Sequence, residues 1–201
     1  MLGIEIDNKL NFNNHVSTIC KKAGNKINAI SRIQNFLGPK EKEALVNTFV
    51  YSNFNYCPLI WHFSSKGSIN KIEKIQEHSL RLLHKNNIDT YKELLTKTTQ
   101  PTMEVKRLRT LIIEIFKTLN DMNPCFMKEI FYLSPHSTHK KHNLFVESRK
   151  TTKYGTHSLK AFGAHIWNNL PEKIKKVTSL HALKIFLKDW YGPKCKCRLC
   201  Q

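Results

Sequence analysis

MEVKRLRTLIIEIFKTL (Met103–Leu119), shortly after Pro101, is the stretch whose reading decides the fold. Met103, Val105, Leu108, Leu111, Ile112, Ile115, Phe116 and Leu119 form an unbroken seam at the spacing that lines one face of an α-helix. Toward the N-terminus the pattern repeats. Ser68 to His84 turns Ile69, Ile72, Ile75, Leu80, Leu82 and Leu83 inward, and a short helix opens at Asp89 with Tyr91, Leu94 and Leu95. Before these, a helix from about Lys40 buries Leu45, Val46, Phe49, Val50 and Phe54 and breaks ahead of Cys57-Pro58. Pro58 starts another turn carrying Leu59, Ile60, Trp61 and Phe63. The first helix, capped by Asn13 or Asn14, carries Val16, Ile19, Cys20, Ala23, Ile27, Ile30, Ile33 and Leu37 until Gly38 and Pro39 stop it. Leu2, Ile4 and Ile6 alternate as a short leading strand does.

Downstream the composition shifts at about Leu133, where periodicity is lost and Leu144-Phe145-Val146 has the make-up of one short strand. A second compact piece resumes near Ser158 with Leu159, Phe162, Ile166, Trp167 and Leu170 on one face. Pro171 restarts a turn, and Ser179 caps a last helix lined by Leu183, Phe186, Leu187 and Trp190. There is no internal repeat and no low-complexity tract. The expected fold is mainly α: an antiparallel helical bundle over residues 1–123 behind a short leading strand, then a smaller basic, α-rich region over 124–201 with at most one short strand pair.

Thirty-three Lys and Arg against fifteen Asp and Glu leave a formal net charge of +18 in 201 residues. Such a surplus points to a polyanionic partner, nucleic acid first and an acidic membrane face second. No stretch approaches the ~18–20 apolar residues of a membrane span, and Met1 to Asp7 carry acids without the basic start of a secretory leader. Cys20, Cys57 and Cys125 are scattered singles on apolar patterns, as buried thiols of a reducing compartment are. An intracellular protein, nuclear or cytoplasmic, is expected.

Leu2-Gly3-Ile4-Glu5-Ile6-Asp7, followed by Leu10, Phe12 and His15, resembles a segment of LINE-type (non-LTR retrotransposon) reverse transcriptases that ends the palm and leads into the helical thumb. In the same order, Phe54-Asn55-Tyr56-Cys57-Pro58-Leu59-Ile60-Trp61 resembles the aromatic block of that thumb, and Ile72 to Leu83 its next helix. Tyr154-Gly155, Gly163, Ile166-Trp167-Asn168, Leu170-Pro171 and the tail from Trp190 through Cys195-Lys196-Cys197-Arg198-Leu199-Cys200 resemble the downstream region of jockey-like elements. The resemblance implies a thumb-like bundle that supports RNA-directed DNA synthesis during target-primed reverse transcription. It does not bring the chemistry. The family's polymerase holds two metal ions on clustered palm carboxylates, including an adjacent aspartate pair. Here the four aspartates, Asp7, Asp89, Asp121 and Asp189, stand apart, and the family's endonuclease has no counterpart. A non-catalytic carboxy-terminal fragment is therefore expected, and a complete enzyme is not.

A thumb grips template–primer duplex through phosphates, for which Lys and Arg on rigid helices are suited. The candidates are Lys21 and Arg32 on the first helix, Lys71, Lys74 and Arg81 on the third, and Lys106, Arg107 and Arg109 on the seam helix. Lys140, Lys141, Arg149, Lys150 and Lys153 form a second, loop-borne set, with Phe145 and Tyr154 interleaved to stack on unpaired bases. The plain alternative for any of these is a solvated face. In the tail, Cys195, Cys197 and Cys200 are close enough to share one Zn²⁺, with the fourth ligand unassigned: His181 if the chain turns back, a partner, or a continuation. The alternative is a set of oxidisable terminal thiols, whose pKa values Lys194, Lys196 and Arg198 lower either way. Phe54, Tyr56, Trp61 and Phe63 read as a base-stacking platform or, at helical spacing, as core. His15, His78 and His84 have no nucleophile or carboxylate at a telling spacing. RNA or an RNA–DNA hybrid is the expected partner. The rival is a protein-interaction module for an acidic protein, such as the palm of a full-length reverse transcriptase.

Overall fold

The computed structural model describes residues 3–85, 88–135, 142–146 and 158–193, and these are mainly helical. The chain divides into two compact units, Met1–Glu104 and Val105–Gln201.

In the first unit, residues 3–12 form turns rather than the expected leading strand. The described residues hold no partner strand, and the Asp7 carboxylate folds the segment by accepting from the backbone N–H of Lys9 (2.9 Å), Asn11 (3.1 Å) and Phe12 (2.7 Å). α1 (Asn13–Ile33) follows, with Val16, Ile19, Cys20, Ala23, Ile27 and Ile30 buried, the stripe its sequence spells. Asn13 does not cap its own helix. Its side-chain oxygen accepts from the hydroxyls of Ser65 (2.8 Å) and Ser68 (2.7 Å) instead.

Gly38 and Pro39 start α2 (Pro39–Leu45), which runs through a π-helical segment, Val46–Tyr51, into α3 (Ser52–Asn55). There each backbone N–H bonds a carbonyl five residues back instead of four, which widens the helix. Val46, Val50 and Phe54 still reach the core. α4 (Lys66–His84) begins on Ser65, whose hydroxyl accepts from the Ser68 amide, and ends on Lys85 in the left-handed conformation. Asn13 lies by Ser65 and Ser68, and Ser17 by Lys71, so α1 and α4 run the same way. Pro39 and Lys40 at the start of α2 sit beside Leu83 and His84 at the end of α4, so the arm between runs the other way.

The core gathers Val16, Ala23, Val46, Val50, Phe54, Trp61 and Ile72, each at most 2% exposed. Full burial of one such side chain contributes roughly 1.5–3 kcal/mol, so this cluster dominates the unit's stability. α5 (Tyr91–Thr98) starts on a capping box in which Thr90 and Glu93 satisfy each other's backbone amides.

α6 (Met103–Leu119) is the seam helix, and its start is held from a distance. Glu73 of α4 accepts from the amides of Met103 (3.2 Å) and Glu104 (3.0 Å), the first two of α6. The same carboxylate takes the Tyr91 hydroxyl at 2.5 Å, and Gln76 donates to the Pro101 carbonyl at 2.9 Å. A carboxylate at a helix N-terminus meets both unsatisfied amides and the positive end of the dipole.

From Val105 onward α6 belongs to the second unit, so the division falls earlier than the 123/124 boundary expected from sequence. The reason is local packing and bonding. Asn123 folds back to donate to the Glu114 carbonyl (3.1 Å) and the Thr118 hydroxyl (3.0 Å), and Gly163 stands against Ile115 and Phe131. A methyl group at Gly163 would lie 2.6 Å from the Phe131 ring, which is why no larger residue fits. A 3₁₀ turn at Cys125–Glu129 leads to an antiparallel bridge between Leu133 and Leu144, all that forms of the expected strand pair among the described residues. Tyr132 and Phe145 stack beside it with centroids 5.4 Å apart.

α7 (Leu159–Asn168), α8 (Glu172–Lys175) and α9 (Leu180–Lys188) complete the described part, with Ser158 and Ser179 capping α7 and α9. The Asn168 amide brackets Leu144, donating to its carbonyl (3.0 Å) and accepting from its amide (2.8 Å). Trp167 donates to the His142 carbonyl at 2.8 Å. Lys175, 7% exposed, binds Asn143, the Asn168 carbonyl and Glu172 at 2.8–2.9 Å.

Candidate nucleic-acid interface

The cationic side chains expected to grip a polyanion divide sharply by environment. Ser17 and Lys21 are one turn apart on α1, and Gly24 continues their stripe. Ser17 meets Lys71 of α4, whose ammonium donates to its hydroxyl at 3.0 Å, while Gly24 passes 3.8 Å from Ile75 as a Cβ would measure it. Lys21 therefore borders the groove between α1 and α4, alongside Lys71 and Lys74. All three are exposed. Arg32 is exposed too, about three turns further along α1.

What leaves this stripe positive is the placement of the α4 acids. Glu73 is turned to the start of α6, and Glu77 pairs with Arg81 at 2.6 Å. Neither neutralises Lys71 or Lys74. Arg81 itself is half-buried in that i, i+4 pair, so its charge is largely offset within the helix.

On α6 the expectation fails for two of three residues. Arg107 is 3% exposed, inside the protein rather than on a solvent face. Arg109 is committed to its own unit. It donates to the Trp190 carbonyl (2.7 and 3.0 Å) and the Lys188 carbonyl (2.9 Å), and its guanidinium lies 5.6 Å from the Tyr191 ring centroid. Those carbonyls belong to the end of α9, where a cation meets the negative end of the helix dipole. At helical spacing both arginines flank the apolar seam, and the cover over α6 reaches past the seam to them. Lys106 is half-buried.

Lys140, Lys141, Arg149, Lys150 and Lys153, together with Tyr154, lie outside the described residues, as do Cys195, Cys197 and Cys200. His181 is exposed in the first turn of α9. Among the described residues no group of three or more His, Cys, Asp and Glu converges as a metal site.

The aromatic block splits. Phe54 and Trp61 are core, at 2% and 1% exposure, whereas Tyr56 is exposed. Burial holds the His15 imidazole below its ordinary pKa, the Glu5 carboxylate opposing, and Nδ1 accepts from the Glu5 amide at 3.4 Å. Burial thus disfavours the charged form of His15. Burial also pushes the Cys20 thiol up to about 11, despite the nearby Lys71, so it is not a nucleophile. Two polar residues escaped the sequence reading: Glu73, whose bonding partners lie some thirty positions away, and Lys175, which looks like any surface lysine. Glu172, three residues before Lys175, is the only local hint of its ion pair.

Comparison with protein-family models, with curated proteins and with solved structures found no match to this chain. Among the described residues no helix is long and apolar enough to cross a membrane.

Proposed function

We propose that this chain is a non-catalytic, nucleic-acid-gripping piece of a LINE-like reverse transcriptase, binding RNA or an RNA–DNA hybrid through phosphates. The observation that carries the grip is the stripe of Lys21, Lys71 and Lys74 along the α1–α4 groove, from which the α4 carboxylates are turned away. Exposed ammonium groups on two rigid helices bind backbone phosphates without reading bases. The formal charge of +18 adds a field that steers any polyanion to the surface. The family assignment rests on the ordered set of motifs from Leu2 to Cys200. The isolated aspartates, Asp7, Asp89, Asp121 and Asp189, support the reading in which strand extension belongs to another part of such a protein.

The test is a titration of labelled RNA–DNA hybrid at several salt concentrations. Micromolar or tighter binding that weakens steeply with salt is expected. Replacing Lys21, Lys71 and Lys74 together by alanine should lower affinity at least tenfold and flatten the salt slope by about three, close to one counterion per phosphate contact. Binding that ignores salt, or a triple variant that binds like the parent, rejects the reading. An acidic protein partner that resists displacement by RNA would favour the protein-interaction role instead.

A further inference from the structure

A cleft of about 260 Å³ opens in the first unit where the second helical arm widens. Asn47 and Tyr51, on the π-helical segment, form one wall, and Lys40 and Glu43 extend it along α2. His84 at the end of α4 and Gln100 beyond α5 face them, over a floor of Leu80 and Leu83. π turns shift side chains out of α-helical register and recur at ligand sites. The Tyr51 hydroxyl is tied to Ser79, which is fully buried, and the half-buried phenol lines the cleft from the core side. Among the described residues, the side chains of Lys40, Glu43, Asn47, His84 and Gln100 make no hydrogen bond or ion pair within the protein. A cleft with an aromatic and aliphatic lining beside uncommitted donors, one carboxylate and two basic groups is chemically specific.

We propose that this cleft takes one unstacked RNA base bearing an exocyclic amine, with the adjoining phosphate on Lys40 and His84. This rests on the nucleic-acid reading above and adds a base preference to it. Proteins that bind single-stranded RNA stack splayed bases on aromatic rings and bond their edges. Here the Tyr51 ring and the two leucines hold the base faces, and the Asn47 and Gln100 amides donate to ring nitrogen and carbonyl acceptors. The Glu43 carboxylate accepts from the amine, as carboxylates do from cytosine N4. Uracil turns a carbonyl oxygen to the same carboxylate and is repelled.

The experiment compares fluorescence anisotropy of short cytidylate and uridylate homopolymers on the full chain, alongside the hybrid duplex. Cytidylate should bind about tenfold tighter than uridylate. Glu43→Ala should bring the ratio near one, and Asn47→Trp, which fills the cleft from an exposed position, should do the same. Hybrid binding should survive in both variants. Equal affinity for the two homopolymers, or a preference untouched by Glu43→Ala, overturns the proposal while leaving the phosphate grip standing. A cytidylate preference lost in Glu43→Ala, with no hybrid binding, upholds the cleft and sinks the grip.

Discussion

Arg109 shows what a charged side chain does when the fold claims it. Its guanidinium closes the end of α9 through three hydrogen bonds to two carbonyls and lies against Tyr191. Arg109→Ala should lower stability by about 1–2 kcal/mol, since charged donors are removed and the half-buried Trp190 carbonyl is stranded. Arg109→Lys should recover little, because an ammonium cannot reproduce the planar fork. Hybrid affinity should stay within about twofold of the parent in either variant, which separates this arginine from Lys21 or Lys74. Denaturant midpoints and a binding titration check both statements. His15 and His165 make a second case. Burial depresses the pKa of each below the ordinary value of about 6.5, so between the two values the unfolded chain binds more protons. Their contribution is present above pH ~6.5 and is lost as pH falls through the folded values. Urea midpoints should therefore fall between pH 7.5 and 5.5, and the double variant His15→Gln/His165→Gln should flatten that dependence.

At the scale of elements, helices were legible where an apolar stripe was long, and their joints were not. The stripes of α1, α4 and α6 follow period 3.6 and emerge as helices within about four residues of expectation, α1 ending at Ile33 where the stripe ran to Leu37. Ser179 reads as a cap in the sequence and is one. By contrast, no local pattern reveals Glu73 as the acceptor for the first amides of α6, because the partners are distant in the chain. The leading strand failed for a related reason: alternation marks a strand only if another strand is there to pair with it. Glu73→Ala should cost about 2 kcal/mol, leaving two amides of α6 unmet, and Glu73→Gln about half that, since the amide oxygen still accepts but carries no charge for the dipole. Guanidinium unfolding curves of the two variants against the parent measure the difference.

For the whole molecule, the same surplus charge acts on the protein and on its partner in opposite directions. At +18 the folded chain repels itself, and added salt screens that repulsion within about one Debye length. Thermal midpoint should rise between low and moderate salt while hybrid affinity falls over the same range. Parallel melting and binding series in sodium chloride check the crossing trends, and a midpoint that falls with salt rejects the argument. Of the candidate interface, the sequence told which residues are cationic but not which ones stay at the surface. Lys21, Lys71 and Lys74 kept their solvent face, whereas Arg107 was drawn inside and Arg109, half-buried, was tied to backbone carbonyls some eighty positions along the chain.

The widened turn at Val46–Tyr51 bears on how this chain tolerates change in length. Removing one residue from it would let the ordinary four-residue repeat close, and because five residues of the wider turn rotate the chain about as far as four of an α-helix, everything beyond would keep its facing. Phe54, 2% exposed, would stay against Trp61 and Ile72, while the widened wall that carries Asn47 and Tyr51 into the cleft would be gone. A lineage that trimmed this helix would thus keep its hydrophobic anchor and give up the candidate recognition surface in one deletion.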